Sequence, residues 1–182
     1  MNNKQRTQAS KFLSYVLRHE PRTIGLQLDI EGWADIDQLI TGAAQAGQFL
    51  DRAILRSIVS ESEKVRFAIS NDGNRIRALQ GHSTPQVKQS HREKTPPDIL
   101  YHGTARRFLH SIMQNGLKPG SRHHVHLEAD METALANGRR YGEAAVLKIE
   151  CWRMHSDGYR FYQAENGVWL IDFVPAQYLQ ME

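Results

Sequence analysis

LYHGTARRFLHSIMQNGLKPGSRHHVHL, residues 100–127, is the stretch on which the reading of this chain turns. Leu100 and Tyr101 lead into a small polar turn, His102-Gly103-Thr104. Phe108, Leu109, Ile112 and Met113 then recur at the spacing of one buried helix face. Thr104 is the expected N-cap of that helix and Gly116 its C-terminal glycine. From Arg122 to Leu127 alternate residues fall on opposite faces of a strand, which puts His124 and His126 on one side. A turn that opens a helix exposes amides suited to an anion. Two strand-borne histidines and Arg122 beside it point to a ligand with several phosphates.

Composition bounds the rest. The chain has 182 residues, 40% hydrophobic and 24% charged, with mean hydropathy −0.56: enough for one large domain or two small ones. No run approaches the ~18 apolar residues of a membrane span. The polar start, MNNKQRTQASK, lacks the core of a secretory signal. One cysteine, Cys151, forms neither an internal disulfide nor a cysteine-pair zinc site, so a reducing cytoplasm is the expected compartment. Net charge is only +3, yet pI is about 9.1 and arginine clusters with histidine at Arg18-His19 and Arg122-His123-His124. Phosphate-rich partners fit that pattern, and a mildly basic solvated surface is the plain alternative.

In chain order, residues 8–20 predict a helix with Phe12, Leu13, Val16 and Leu17 on one face. Pro21 ends it. Arg18 and His19 take its last turn, where the dipole favours positive charge, with Arg18 opposite the apolar face and both reaching outward. Ile24, Leu26 and Leu28 alternate as a short strand. Asp35 caps a second helix closed by Gly47, and Asp51 starts a third over 51–62. Val65, Phe67 and Ile69 form a strand that leaves Arg66 on its other face. Residues 71–74, Asn-Asp-Gly-Asn, turn it back through Arg75 to Leu79. Three helices and a hairpin in this order make a winged-helix module. Residues 84–98, TPQVKQSHREKTPPD, read as a linker. Beyond it, Asp130 caps a helix carrying Met131, Ala134 and Leu135. Residues 145–151 are a strand and 152–159 a loop, with short strands at 160–163, 168–170 and 173–174. The fold class is α+β: a lobe over 1–83, a linker over 84–98 and a lobe over 99–182. Trp33, Trp152 and Trp169 read as packing residues, and His123 as a surface residue.

Several separated motifs occur in order: Leu17-Arg18-His19-Glu20-Pro21, Lys64-Val65-Arg66-Phe67, Ile76-Arg77-Ala78 with Gln80-Gly81-His82-Ser83, Tyr101-His102-Gly103-Thr104, Gly116-Leu117, Ser121 to Leu127, and Gly167-Val168-Trp169-Leu170. Together, over about residues 8–175, they make the chain resemble the NAD-dependent RNA 2′-phosphotransferases, which remove a 2′-phosphate left at an RNA splice junction. The resemblance implies an N-terminal winged-helix lobe and a C-terminal ADP-ribosyltransferase-like lobe with the active site between them. It implies a catalytic set of Arg18, His19, Arg66 and Arg122, for which Arg75 and Arg77 are nearby rivals to Arg66. It also implies NAD contacts by His102, Gly103, Thr104, His126 and Val168. Gly81-His82-Ser83 takes a lesser binding role. NAD is the co-substrate, an RNA carrying a 2′-phosphate the partner, and no metal is needed; a monomer is expected.

In the implied reaction the RNA 2′-phosphate displaces nicotinamide from NAD. The ribose 2″-hydroxyl then attacks the phosphorus of the ADP-ribosylated RNA 2′-phosphate, leaving 2′-hydroxyl RNA and ADP-ribose 1″,2″-cyclic phosphate. Arginine forks bind phosphate bidentately and stay charged, and a histidine suits the proton transfer. Val168 stands where protein-modifying ADP-ribosyltransferases carry a glutamate, consistent with an acceptor that brings its own negative charge. Two other readings compete. One is an ADP-ribosyltransferase acting on a terminal phosphate of nucleic acid. The other is a winged-helix regulator that senses NAD, although its recognition helix over 51–62 has only Arg52 and Arg56 as cations.

Overall fold

Leu13, Val16 and Leu17 are fully buried along one side of the first helix, which sets the core of the N-terminal half. The structure is a computed structural model that describes residues 3–61 and 65–182. Lys64 of the strand motif and Ser62 at the end of the third expected helix lie outside the described residues. Helix α1 spans Asn3–Arg18. It starts earlier than its apolar pattern, and Arg6 in its first turns bonds Glu61 at 2.6 Å. The His19 and Glu20 amides both donate to the Tyr15 carbonyl at 3.0 Å, and the chain turns at Pro21.

Where sequence alternation predicted a strand through Ile24, Leu26 and Leu28, Pro21–Ile24 form a 3₁₀ turn closed by Gly25 at φ 65°. Proline preset for the first helical position explains it. Ile24 and Leu26 are buried by the turn itself, and that burial produces the strand-like alternation. Strand β1 (Ala34–Asp35) leads into α2 (Ile36–Gln45), whose N-cap Asp35 accepts the Gln38 amide at 2.9 Å. Helix α3 spans Arg52–Glu61, with Asp51 accepting the Ile54 amide at 2.6 Å. Strands β2 (Phe67–Ile69) and β3 (Arg75–Ala78) form the hairpin. The described strands pair antiparallel in the order β1-β3-β2, with Ile76 opposite both Ala34 and Ile69. Leu39, Leu55, Ile58, Phe67 and Ile76 complete the core.

The chain divides into two compact units between Ser90 and His91. Within residues 84–98, Lys88 donates its amide to Ile30 and Ser90 bonds Glu31, both in the first unit. Strand β4 (Arg92–Glu93) and Lys94 bond to the second.

The second unit continues with β5 (Ile99–Ala105), α4 (Arg106–Asn115), β6 (Val125–Leu127), α5 (Met131–Gly138) and β7 (Ala144–Glu150). Helix α6 (Cys151–Ser156) follows, then β8 (Tyr162–Gln163), β9 (Trp169–Ile171) and β10 (Leu179–Met181). The described strands form antiparallel sheets β10-β7-β5 and β4-β8-β9-β6. Leu100 and Ile149 of the first and Val125, Leu127, Trp169 and Ile171 of the second share one core. The expected loop at 152–159 contains α6 because Met154 supplies a buried anchor.

The opening stretch differs from its sequence reading at three points. Phe108 and Met113 of the expected buried helix face are exposed, and no residue of α4 is buried. The strand expected from Arg122 begins only at Val125, residues 122–124 being bends. The third lies at residues 102–104. His102-Gly103-Thr104 is no turn: β5 runs unbroken against β7 from Ile99 to Ala105. Thr104 is buried in the strand and does not cap α4. The N-cap position belongs to Ala105, and the Arg106 amide is satisfied by the Glu143 carbonyl at 2.8 Å. Gly116 does end α4, at φ 77°.

Helix α5 lies so close to β5 that neither backbone has room for a side chain. A Cβ at Gly103 would fall 1.6 Å from the Ala134 carbonyl oxygen, and one at Gly138 would fall 2.6 Å from that of Thr104. We expect Gly103→Ala to cost about 3 kcal/mol, the upper range for overpacking, since only backbone movement relieves it. Denaturant titration of the variant measures this; an unchanged midpoint would contradict the packing.

Candidate functional site

The second unit brings three of the residues singled out from sequence into one hydrogen-bonded chain. Strand β5 meets the end of β6 at Tyr101 and Glu128, whose amides and carbonyls exchange two bonds of 2.8 Å. His102, the next residue, then reaches the His126 carbonyl with Nδ1 at 2.9 Å. A carbonyl only accepts, so His102 carries its proton on Nδ1 and presents Nε2 as an acceptor. Arg122 donates from Nη1 to Nδ1 of His126 at 3.0 Å. A guanidinium only donates, so His126 is a neutral imidazole with its proton on Nε2. Burial holds His102 below the ordinary histidine value of 6.5; the His126 carbonyl opposes this, and Arg122 pushes it further down. A guanidinium has five N–H donors, so the bond to His126 leaves Arg122 able to grip an anion.

Because the Tyr101 N–H and C=O point away from β7, those of Gly103, two residues on, do so as well. Its side of β5 is the helix side, while His102 faces the opposite way. Val168 bonds the Ala164 amide through its carbonyl at 2.9 Å, closing the turn between β8 and β9. It stands two positions before Leu170, the register partner of His126.

In the first unit, His19 lies just past α1, with Nδ1 2.9 Å from the Ser83 hydroxyl. The Ser83 amide donates to the Arg18 carbonyl at 2.9 Å. Arg18 does not reach outward as the helical wheel implied. It is 9% exposed, with its guanidinium 5.9 Å from the centre of the Phe67 ring. The hairpin and the segment after it cover the last turn of α1, which a wheel for an isolated helix cannot show. Arg66 directly precedes Phe67 and accepts the Leu79 amide on its carbonyl at 3.0 Å. Sequence reasoning gave Ser83 only a lesser binding role. Its motif was visible, but nothing in a sequence ties it to a histidine 64 positions away.

The other candidates sort by their contacts. Arg77 and Arg75 lie over Trp33, 4.5 and 5.5 Å from its centre, and near Glu31 and Asp29 at 3.8 and 3.7 Å, so their charges serve the first unit's own surface. His124 has Nε2 3.5 Å from Asp172; burial lowers it, and the carboxylate opposes. Among the described residues no three histidine, cysteine or acidic side chains gather as a metal site. Trp169 is core, whereas Trp152 is 56% exposed. Burial pushes the Cys151 thiol up to about 12, so it is no thiolate nucleophile. No described helix is long and apolar enough to cross a membrane.

The neutral state of His102 has a consequence for stability. An unfolded imidazole takes up its proton near 6.5 and the folded one only at lower pH. Between those values the unfolded chain binds more protons, so the stabilisation is complete above pH 6.5 and is lost as pH falls through it. His124 acts in the same direction. Denaturation midpoints at pH 7.5 and 5.5 should drop at the lower pH, and His102→Gln should make the drop smaller.

Comparison with known proteins covers nearly the whole chain. The model of the family "RNA 2′-phosphotransferase, Tpt1 / KptA family" matches residues 4–173. The chain is 59% identical over 174 residues to a protein of Burkholderia lata, covering 96% of this chain and 90% of that one. It is 57% identical over 180 residues to one of Pseudomonas aeruginosa, covering 99% of each. A third, from Escherichia coli O45:K1, is 54% identical over 179 residues, covering 98% of this chain and 92% of that one. All three are named "Probable RNA 2′-phosphotransferase". With the match running through both units, from α1 to the residues after β9, the chain belongs to the RNA 2′-phosphotransferase family.

Proposed function

We propose that this chain removes an internal RNA 2′-phosphate by transferring it to NAD without a metal, with a winged-helix first unit and an ADP-ribosyltransferase-like second unit. The observation that carries the reading is the chain His102–His126–Arg122: two imidazoles held neutral and in fixed tautomers beside a permanent cation. Neutral imidazoles suit hydrogen bonding to the uncharged ribose and carboxamide of NAD, while Arg122 holds phosphate. On β5, Gly103 turns an amide and a carbonyl the same way, a donor–acceptor pair matched to a carboxamide. Buried Thr104 fixes the strand there. Val168 adds an apolar contact and no charge, as fits an acceptor that is itself a phosphate.

In the first unit, Arg18 and Arg66 supply the cations for the RNA phosphate. Charge grows on the phosphorus oxygens as the 2″-hydroxyl attacks, and fixed guanidinium donors stabilise it. His19 gives a proton to the departing RNA 2′-oxygen.

The test is a short RNA with one internal 2′-phosphate, incubated with and without NAD in the presence of a chelator, the products resolved by mass spectrometry. Loss of phosphate only with NAD, with cyclic-phosphorylated ADP-ribose appearing, is expected. Phosphate that survives while nicotinamide is released would mean a different acceptor, and no change in either substrate would sink the proposal. Arg122→Ala should lower turnover at least 100-fold, the scale for one lost charge-stabilising donor.

A further inference from the structure

We infer that a groove in the first unit holds a neighbouring nucleotide of the RNA, adjacent to the one that carries the 2′-phosphate; this rests on the substrate proposed above. The groove is a cavity of about 510 Å³ lined by Arg22, Gly25, Leu26, Gln27, Leu28 and Gln86, a size within the range of small-ligand sites. Its two walls grow from segments that meet at His19. One wall starts at Arg22, three residues after His19. The other is Gln86, three residues after Ser83, whose hydroxyl lies 2.9 Å from the His19 ring. Three residues of backbone reach at most about 11 Å, so both walls begin close to that contact. Each wall is also fixed. The Gly25 amide donates to the Arg22 carbonyl at 3.1 Å and the Leu26 amide to that of Pro21 at 3.0 Å. A Cβ at Gly25 would meet nothing within 4 Å, so the chain turns where the groove is open. Gln86 sits in a turn closed by the Val87 amide on the Thr84 carbonyl at 3.2 Å, with Val87 fully buried beneath it.

The lining chemistry selects the occupant. Arg22, Gln27 and Gln86 are exposed, and among the described residues their side chains have no hydrogen-bond or ion-pair partner. No acidic side chain lines the groove. The Arg22 guanidinium therefore offers its fork to an anion. One cation matches the single charge of a phosphodiester, whereas the pyrophosphate of NAD carries two. The carboxamides of Gln27 and Gln86 each present an N–H donor pair and an acceptor oxygen, more than a bare anion can use. Donors and acceptors of that kind pair with the exposed edge of an unstacked base, which is how single-stranded RNA is read. Leu26 and Leu28 give the base an apolar wall. A cation for the backbone, amides for the base edge and an apolar surface for the ring together describe one nucleotide of a single strand.

The experiment measures binding of a labelled single-stranded RNA with one internal 2′-phosphate by fluorescence anisotropy. NAD is left out so that nothing turns over, and salt is varied. The full chain is compared with Arg22→Ala, Arg22→Lys and a Gln27→Ala/Gln86→Ala double variant, with thermal midpoints checking that each is folded. Arg22→Ala should bind about tenfold more weakly, the scale of one charge-assisted hydrogen bond. Its plot of log Kd against log salt should flatten by about 0.7, the value for one single-strand phosphate. Arg22→Lys should keep the wild-type slope, and the double variant should bind more weakly with the slope unchanged. In turnover, Arg22→Ala should raise KM for the RNA and leave kcat and KM for NAD alone. A lone 2′-phosphorylated nucleotide should bind the wild type and Arg22→Ala alike. Wild-type Kd and slope in Arg22→Ala, in a chain that does dephosphorylate the RNA, would overturn this inference alone. So would an equal loss with the lone nucleotide, which would put Arg22 at the 2′-phosphate itself, or an unaffected double variant, which would leave a bare anion contact. A wild-type chain that neither binds nor dephosphorylates the RNA would remove the proposed substrate and this inference together.

Discussion

Two main-chain bonds between Tyr101 and Glu128, 2.8 Å each, join the sheets of the second unit, and the geometry of its candidate residues depends on them. They bring the end of β6 alongside β5, so that the next side chain, His102, meets the His126 carbonyl. They also set which way the Gly103 amide points. On the far side of β5 the missing side chains of Gly103 and Gly138 let α5 settle against the strand. Helix α5 is held in addition by the Asp130 cap on Thr133 at 2.7 Å and by Asn137 on Glu128 at 2.8 Å. Glu128 thus bonds the strand through its backbone and the helix through its side chain.

The two imidazoles of that unit resemble each other in sequence and differ in chemistry. His102 donates from Nδ1 and exposes an acceptor, whereas His126 accepts on Nδ1 and keeps a donor at Nε2. A single pair of rings offers both halves of a hydrogen-bonding pattern. Neither carries charge, so the positive charge of the group is that of Arg122.

Much of this was legible in the sequence where local rules govern. The Asp35, Asp51 and Asp130 caps, the turn at 71–74 and the glycine ending α4 all depend on neighbours a few positions away. The alternation of Arg122 to Leu127 put His126 on the face opposite the core residues Val125 and Leu127. What failed was decided by distant contacts. The 3₁₀ turn at Pro21 imitates a strand in its burial. Residues 102–104 resemble a turn in composition, yet Gly103 is small because a helix packs on it. Arg18 is covered by chain some fifty residues away in sequence. The tie between Ser83 and His19 spans the first unit and leaves no periodic trace.

Cys151 follows β7 directly, fully buried and with its thiol held far from ionisation. Alkylating reagents need a thiolate and access, and the folded second unit grants neither. The chain therefore contains a silent label site in the core beneath its two sheets. Modification of that sulfur keeps time with the opening of the unit around His102 and His126, while the first unit, which has no cysteine, stays invisible to the reagent.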